Sequence, residues 1–295
     1  MKLKSKSEAV FGTVNNILMA LVIVVMLYPM LNQVAISFSG NAAIMAGKVN
    51  LIPKDVTTVA YKEILADKNF VTAMKNTVLY TVVATLLQVF LTMLFSYPLS
   101  KKNLKGRNII MTLLVFSMMF GTGGLIPNYI LIQKLGLVNT YGALILPGAI
   151  NIWNVIVFKN FFQQLPESLE EAAKVDGAGI WRIFAQIVIP LSKPVIAAIG
   201  LFTAVAAWST FFNCMLYITS PEKKLLQVYL NDILQSNIVP VQQTDVIVNN
   251  TIEETTNSDA LKAACLICTL LPVTMIYPFV QKYFMAGMMM GSVKG

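Results

Sequence analysis

The sequence predicts an all-α polytopic membrane protein with six spans, and three observations lead there. Of its 295 residues 56% are hydrophobic and only 12% are charged, about half the charged share of an ordinary soluble domain. Six windows, 9–47, 76–100, 108–133, 135–158, 194–221 and 263–281, contain no Asp, Glu, Lys or Arg. A helix needs about 20 apolar residues to cross the hydrocarbon core, and the short alternating strands of an outer-membrane barrel would read differently. The third observation is charge asymmetry. With the N-terminus inside, segments 1–8, 101–107, 159–193 and 282–295 hold thirteen basic and five acidic residues, while 48–75, 134 and 222–262 hold nine of each. The net charge of +8 therefore falls on one face, which the positive-inside rule makes cytoplasmic, with both termini there. Basic charge spread along membrane edges, without an aromatic-interleaved patch, argues against nucleic acid as a partner.

Taken in order, residues 1–8 form a cytoplasmic N-terminus, and 9–295 a single transmembrane domain with spans of about 12–37, 76–100, 108–133, 142–160, 194–218 and 263–282. The first uncharged run, 39 residues long, far exceeds a signal-peptide core of about 7–15 residues, so it reads as an uncleaved anchor. The outer segment 39–75 carries LIPKDVTTVAYKEIL, whose tail has helical spacing. The second span closes at Tyr97-Pro98 and the basic stop KKNLKGR. The third contains Gly121, Gly123, Gly124 and Pro127, read as either a close helix-packing site or a break lining a cavity. Asn151, Trp153 and Asn154 punctuate the fourth span; Trp208, Asn213 and Tyr217 close the fifth. Polar groups inside a span usually face the bundle interior. Asn128, Tyr129, Asn151, Trp153, Trp208 and Asn213 are accordingly candidates for a substrate path, with interhelical hydrogen bonding as the alternative. The outer loop 219–262 holds a helical-looking LLQVYLNDIL and the polar stretch QQTDVIVNNTIEETTNSD.

Much chemistry is excluded by what is absent. The chain has no histidine, so a Ser-His-Asp triad and an HExxH zinc site are ruled out. Cys265 and Cys268 lie inside the last apolar window without a second Cys pair, which does not make a metal site. The spacing from Gly40 to Gly47-Lys48-Val49 is too long for a phosphate loop, and Val49 replaces the magnesium-binding hydroxyl. No window holds a carboxylate, which disfavours proton coupling. Uphill transport would need energy from another subunit.

One block breaks the apolar pattern: EEAAKVDGAGIWRIFAQIVIP, residues 170–190. Leu165-Pro166-Glu167 suits the start of a helix, with acids near its N-terminus. Leu169, Ala172, Ala173 and Asp176 then share a face by helical spacing. Gly177 is placed to cap that helix in the left-handed conformation. A second short helix over Ala178–Ile189 presents Ile180, Trp181, Phe184, Ile187 and Val188, before Pro190 and Pro194 open the fifth span. The expectation is an amphipathic helical hairpin within a cytoplasmic loop, 161–193.

The spacing EAA, Gly177, Ile187, Ile189-Pro190 resembles the EAA motif of binding-protein-dependent ABC importer permeases. Ile189 stands where that family normally has Leu. NFFQQLPESLEEAAKVDGAGIWRIFAQIVIPLSKPVIAAIGLF, GGLIPNYILIQKLGLVNTYGALILPGAINIWNVIVFKNFF and the tail QKYFMAGMMMGSVKG are similar to its carbohydrate branch, in particular the complex-carbohydrate subgroup that serves lipoprotein sugar-binding subunits. The resemblance implies a type I ABC importer permease fold in a bacterial cell membrane, and a non-catalytic subunit importing a sugar such as an oligosaccharide. It further implies a second permease subunit, two cytoplasmic ATPases that bind ATP and Mg, an external lipid-anchored binding protein, and no cofactor in this chain. Glu171, Ala172, Ala173, Asp176, Gly177 and Pro190 would form the ATPase-coupling element. The alternatives are a permease for a peptide, amino acid or anion, and a membrane scaffold without transport.

Overall fold

The computed structural model describes residues 6–120, 123–235 and 257–291, and every regular element among them is helical. The chain divides into two compact units, one of residues 1–71 with 230–271, the other of 72–229 with 272–295.

In the first unit, α1 (Lys6–Ser37) is apolar all round, and none of its most hydrophobic stretch is buried; such a surface suits hydrocarbon. Short helices α2 (Asn41–Met45) and α3 (Val59–Ala66) follow; the latter lies where the sequence shows helical spacing. They are anchored to the end of α1. The Ser37 and Tyr61 hydroxyls lie 2.8 Å apart, the Phe38 and Tyr61 rings 4.7 Å, and Gly40 N–H donates to the Lys54 carbonyl at 3.0 Å.

The helix α4 (Lys68–Ser100) has 33 residues, about 50 Å at 1.5 Å per residue, which exceeds the hydrocarbon thickness. Beyond it come α5 (Arg107–Phe120) and α6 (Leu125–Lys134), whose axes differ by 116°. Residues 121–122 lie outside the described residues. Gly123 and Gly124 have φ of +74° and +94°, a backbone that glycine reaches without a Cβ penalty. Next are α7 (Gly142–Ile145) with a 3₁₀ turn at Leu146–Gly148, and α8 (Ile152–Phe162), bent from it by 49°. The hairpin helices are α9 (Glu167–Val175), α10 (Ile180–Ile183), a π-helical stretch Phe184–Val188, and α11 (Ile189–Leu191). A bend of 79° leads to α12 (Lys193–Trp208), then to α13 (Phe212–Tyr217), α14 (Leu226–Gln235) and α15 (Ser258–Gly291). The π stretch ends just before Pro190. Proline cannot donate to the ladder and its ring crowds the carbonyl four residues back, which a widened turn relieves.

Among the described residues three helices are long and apolar enough to span a membrane, and the three bent pairs bring the number to six if each is one span. Within the second unit, α4 passes two hydrophobic clusters. Tyr80 and Ala84 pack with Leu144, Cys214, Tyr217 and Leu225. Val89, Met93 and Tyr97 pack with Phe158, Phe162, Ile183, Phe184 and Val188.

Candidate coupling hairpin and membrane cleft

The charge-rich block folds as a helical hairpin. Glu167 and Glu170 occupy the first turn of α9 and Lys174 its last, each suited to the helix dipole. Pro166 is the residue before the helix rather than its first turn, with φ −60° and ψ 119°. At the other end Gly177 has φ +78°. Its N–H donates to the Lys174 carbonyl at 3.0 Å, and Ala178 N–H reaches back to Ala173 at 2.8 Å. That pair of bonds is a Schellman motif, which closes a helix through a left-handed residue.

The two faces of the hairpin differ in chemistry. Ile183, Phe184 and Val188 are buried in the cluster around Tyr97 and Phe162, and Ala173 packs against the same cluster. Glu170, only 8% exposed, lies on that inner face. Lys101 donates to both of its carboxylate oxygens, and the Tyr97 hydroxyl is 3.5 Å from Oε2. On the outer face Glu171, Ala172 and Asp176 are exposed, as are Val175 (87%) and Trp181 (68%). Helical spacing put Ala172 and Ala173 on a common face; the structure turns Ala172 outward and Ala173 toward the bundle. Pro190, also exposed, lies in α11 at the elbow.

Glu170, Lys101 and Tyr97 are absent from the sequence-based candidates. Glu170 looks like one more acid in a charged block, and its partner is 69 residues away. The position of Glu170 follows once Ala173 is seen to pack inward, since residues i and i+3 share a face, but nothing in the sequence separates it from Glu171.

The second feature is a cleft of about 540 Å³ lined by α4, α5, α8, α12 and neighbouring turns. Its polar lining comes from Tyr80, Gln88, Ser117, Asn151, Thr203, Thr210 and Asn213, with Trp153 beside them, and it contains no charged residue. Asn151 caps α8, its side-chain oxygen accepting from Asn154 N–H at 3.1 Å. Such a cap satisfies one of the free N–H groups at the start of α8. The Tyr80 hydroxyl lies 3.5 Å from that of Thr210. The buried Thr203 hydroxyl has no hydrogen-bond partner among the described residues.

Of the six candidates for a substrate path, Asn151, Trp153 and Asn213 meet in this cleft. Trp208 does not. It is buried in an apolar crevice with Leu201, Val205, Pro272 and Ile276, on the face of α12 opposite Thr203 and Ala207. Asn128 and Tyr129 also lie away from the cleft lining; Tyr129 stacks on Tyr217 with centroids 5.9 Å apart. A single sequence gave no means of orienting Trp208, because α12 is apolar on every side.

On the far side of the same unit, Asn139, with φ +63°, ties down the loop after α13. Its N–H donates to the Tyr217 carbonyl at 2.8 Å, and its side-chain oxygen accepts from Thr219 and Ser220 N–H at 3.2 and 3.0 Å. Asn76 donates to the Glu222 carbonyl at 2.7 Å, and Leu226 N–H donates to the Thr77 hydroxyl at 2.7 Å. Most of QQTDVIVNNTIEETTNSD falls in 236–256, outside the described residues.

Residues 88–289, which include the hairpin and α12, match the family model of the binding-protein-dependent transport system inner membrane component. The chain belongs to that family. Protein LplC of Bacillus subtilis (strain 168) is 40% identical to the permease over 291 residues, covering 99% of this chain and 97% of that one. The polygalacturonan/rhamnogalacturonan transport system permease protein YtcP of the same organism is 39% identical over 268 residues, covering 90% and 92%. A chain in the crystal structure of a bacterial ABC transporter involved in the import of the acidic polysaccharide alginate is 32% identical. Its TM-score is 0.86, with 96% of the permease and 100% of that chain covered. The permease is thus a helical multi-pass membrane protein, and its family consists of transport subunits rather than enzymes.

Proposed function

We propose that this chain is one permease subunit of an ATP-driven importer in a bacterial cell membrane, passing an oligosaccharide received from an external binding protein. It has six spans and both termini in the cytoplasm, and it pairs with a second, homologous permease. Two ATPase subunits bind ATP and Mg and dock on the α9–α11 hairpin. The observation that carries this reading is the division of α9. Its inner face is anchored by Glu170 and Ala173, while Ala172, Val175 and Asp176 stand outside on a helix closed by Gly177. An exposed apolar strip framed by charge suits insertion into a groove of a partner.

The sugar assignment is supported by relatives described as transporting polygalacturonan, rhamnogalacturonan or alginate, and by the cleft. Its aromatic and amide lining suits ring faces and hydroxyls, and its size falls within the usual range for small-ligand sites, about 300–1,000 Å³. With no charge in the lining, this chain offers stacking and hydrogen bonds, not ion pairing, to its share of the substrate.

The test is reconstitution with the partner permease, the ATPase and the binding protein. ATP-dependent uptake of a labelled pectic or alginate oligosaccharide into vesicles is expected, and it should vanish when the binding protein is omitted. Uptake that continues without the ATPase would overturn the proposal.

A further inference from the structure

We propose that Glu170, Lys101 and Tyr97 form an intramolecular clamp that makes the docking helix α9 move as one body with α4. The inference rests on the proposed function, since it concerns how motion imposed on α9 reaches the cleft.

A buried carboxylate is costly unless it is paired, yet Glu170 is buried while its neighbour Glu171 stands in solvent. Glu170 is satisfied entirely from the end of α4. The Lys101 ammonium bridges both carboxylate oxygens and sits 4.8 Å from the centre of the Tyr97 ring, whose hydroxyl points to the same carboxylate. The Tyr97 ring is held edge-on by Phe162 and packed by Phe184, so α8 and the hairpin's second limb grip the anchor. Gln163 adds a second tie, donating to the Ser100 carbonyl at 3.3 Å. Arg107 Nε donates to the Leu99 carbonyl at 2.9 Å and fixes the backbone that presents Lys101.

A buried ion pair contributes little net stability compared with an apolar replacement, but it is directional, and loss of one partner strands the other. Its consequence here is geometric. The same α4 that ends at the clamp contributes Tyr80, Ala84 and Gln88 to the cleft. A push or pull on α9 is therefore delivered to a continuous helix, with Pro98 in its last turn, that forms one wall of the substrate path. Glu170, Lys101 and Tyr97 act as positioning residues through α9 and α4, and none of them touches the substrate.

The experiment compares uptake per ATP hydrolysed in the reconstituted complex. Glu170→Gln and Lys101→Met should still recover the ATPase and hydrolyse ATP, with uptake per ATP falling about tenfold, inside the roughly 5–150-fold range of coupling between sites. Lys101→Arg should retain coupling, and the exchange Glu170→Lys with Lys101→Glu should regain a large part of it. Wild-type uptake per ATP in both single variants would overturn the clamp. If the single variants do not assemble, Tyr97→Phe decides, since it keeps the ring and removes only the hydroxyl. Reduced uptake per ATP then upholds the clamp, and an unchanged value overturns it. A wild-type complex that neither retains the ATPase nor transports would instead overturn the proposed function, and the clamp with it.

Discussion

The hairpin and the cleft lie in one compact unit and are built on different principles. In the hairpin, backbone geometry is decisive: a left-handed Gly177, two Schellman hydrogen bonds, a π stretch ahead of Pro190, and a buried carboxylate with its cation supplied. In the cleft, separate neutral side chains from several helices and turns line a space, Asn151 among them as the cap of α8, and the Thr203 hydroxyl has no partner among the described residues. The two proposed roles are therefore vulnerable in different ways. A device that passes force requires every joint, so one wrong backbone torsion disables it. A path for a passing sugar is a sum of weak contacts and degrades gradually.

The largest effect is expected at Gly177. A Cβ in the left-handed region costs on the order of 1–2 kcal/mol, and a β-branched residue is worse. Open space around the position means the penalty is backbone strain, not collision. Gly177→Val is therefore expected to leave the permease inserted and to abolish ATPase co-purification and uptake, both read on detergent-purified complexes. A complex of normal composition would show that the reversal at Gly177 is dispensable.

Ala173→Leu should come next. Because Ala173 faces the bundle, the added methyl groups overfill its own packing at about 1–3 kcal/mol and lever α9 outward. ATPase recovery should survive in part, while uptake falls severalfold. Ala172→Ser, on the outer face, should leave the thermal stability of the isolated permease unchanged. Equal destabilisation by both substitutions would show that the two faces are not distinct.

The cleft should respond more mildly. Trp153→Ala should slow uptake by about fivefold, equivalent to about 1 kcal/mol of lost contact, without changing basal ATP hydrolysis. Trp208→Ala should act on folding instead, lowering the yield of folded permease with normal uptake per surviving molecule. Removing a buried Trp commonly costs about 3–5 kcal/mol. The reverse pattern would return Trp208 to the substrate path.

Asn139→Ala should have the smallest effect. Loss of its side-chain bonds to Thr219 and Ser220 loosens the loop after α13. A twofold or smaller rise in the binding-protein concentration needed for half-maximal uptake is expected, with about 1 kcal/mol per lost hydrogen bond as the upper scale.

The class of fold was legible because apolar runs of membrane length admit few other structures. The bends were only partly legible: Gly123-Gly124 left a break and a packing site both open, and Pro190 and Pro194 marked the start of the fifth span without announcing its 79° turn. In the hairpin the extent of α9 and its left-handed cap at Gly177 were legible, since they depend on local chemistry. The single second helix expected over Ala178–Ile189 is instead interrupted by the π stretch, and Ala172 and Ala173 part to different faces. What lay beyond the sequence was orientation on uniformly apolar helices. Nothing in α12 distinguishes the Trp208 side from the Thr203 side until α4 and α15 are in place. Glu170 was obscure for a related reason, as its role depends on Lys101, a residue that reads locally as a positive stop at the end of a span.

The outer face of α9 is, on the proposed function, the surface the ATPase grips, and site-specific cross-linking reads that contact without relying on transport. Cysteines at Ala172 and Val175, in a background where Cys214, Cys265 and Cys268 are replaced by Ser or Ala, should each form an adduct with the ATPase subunit in the assembled transporter. A cysteine at Trp153 should form none. An ATPase that co-purifies normally yet yields no adduct at either α9 position would show that the docking surface lies elsewhere.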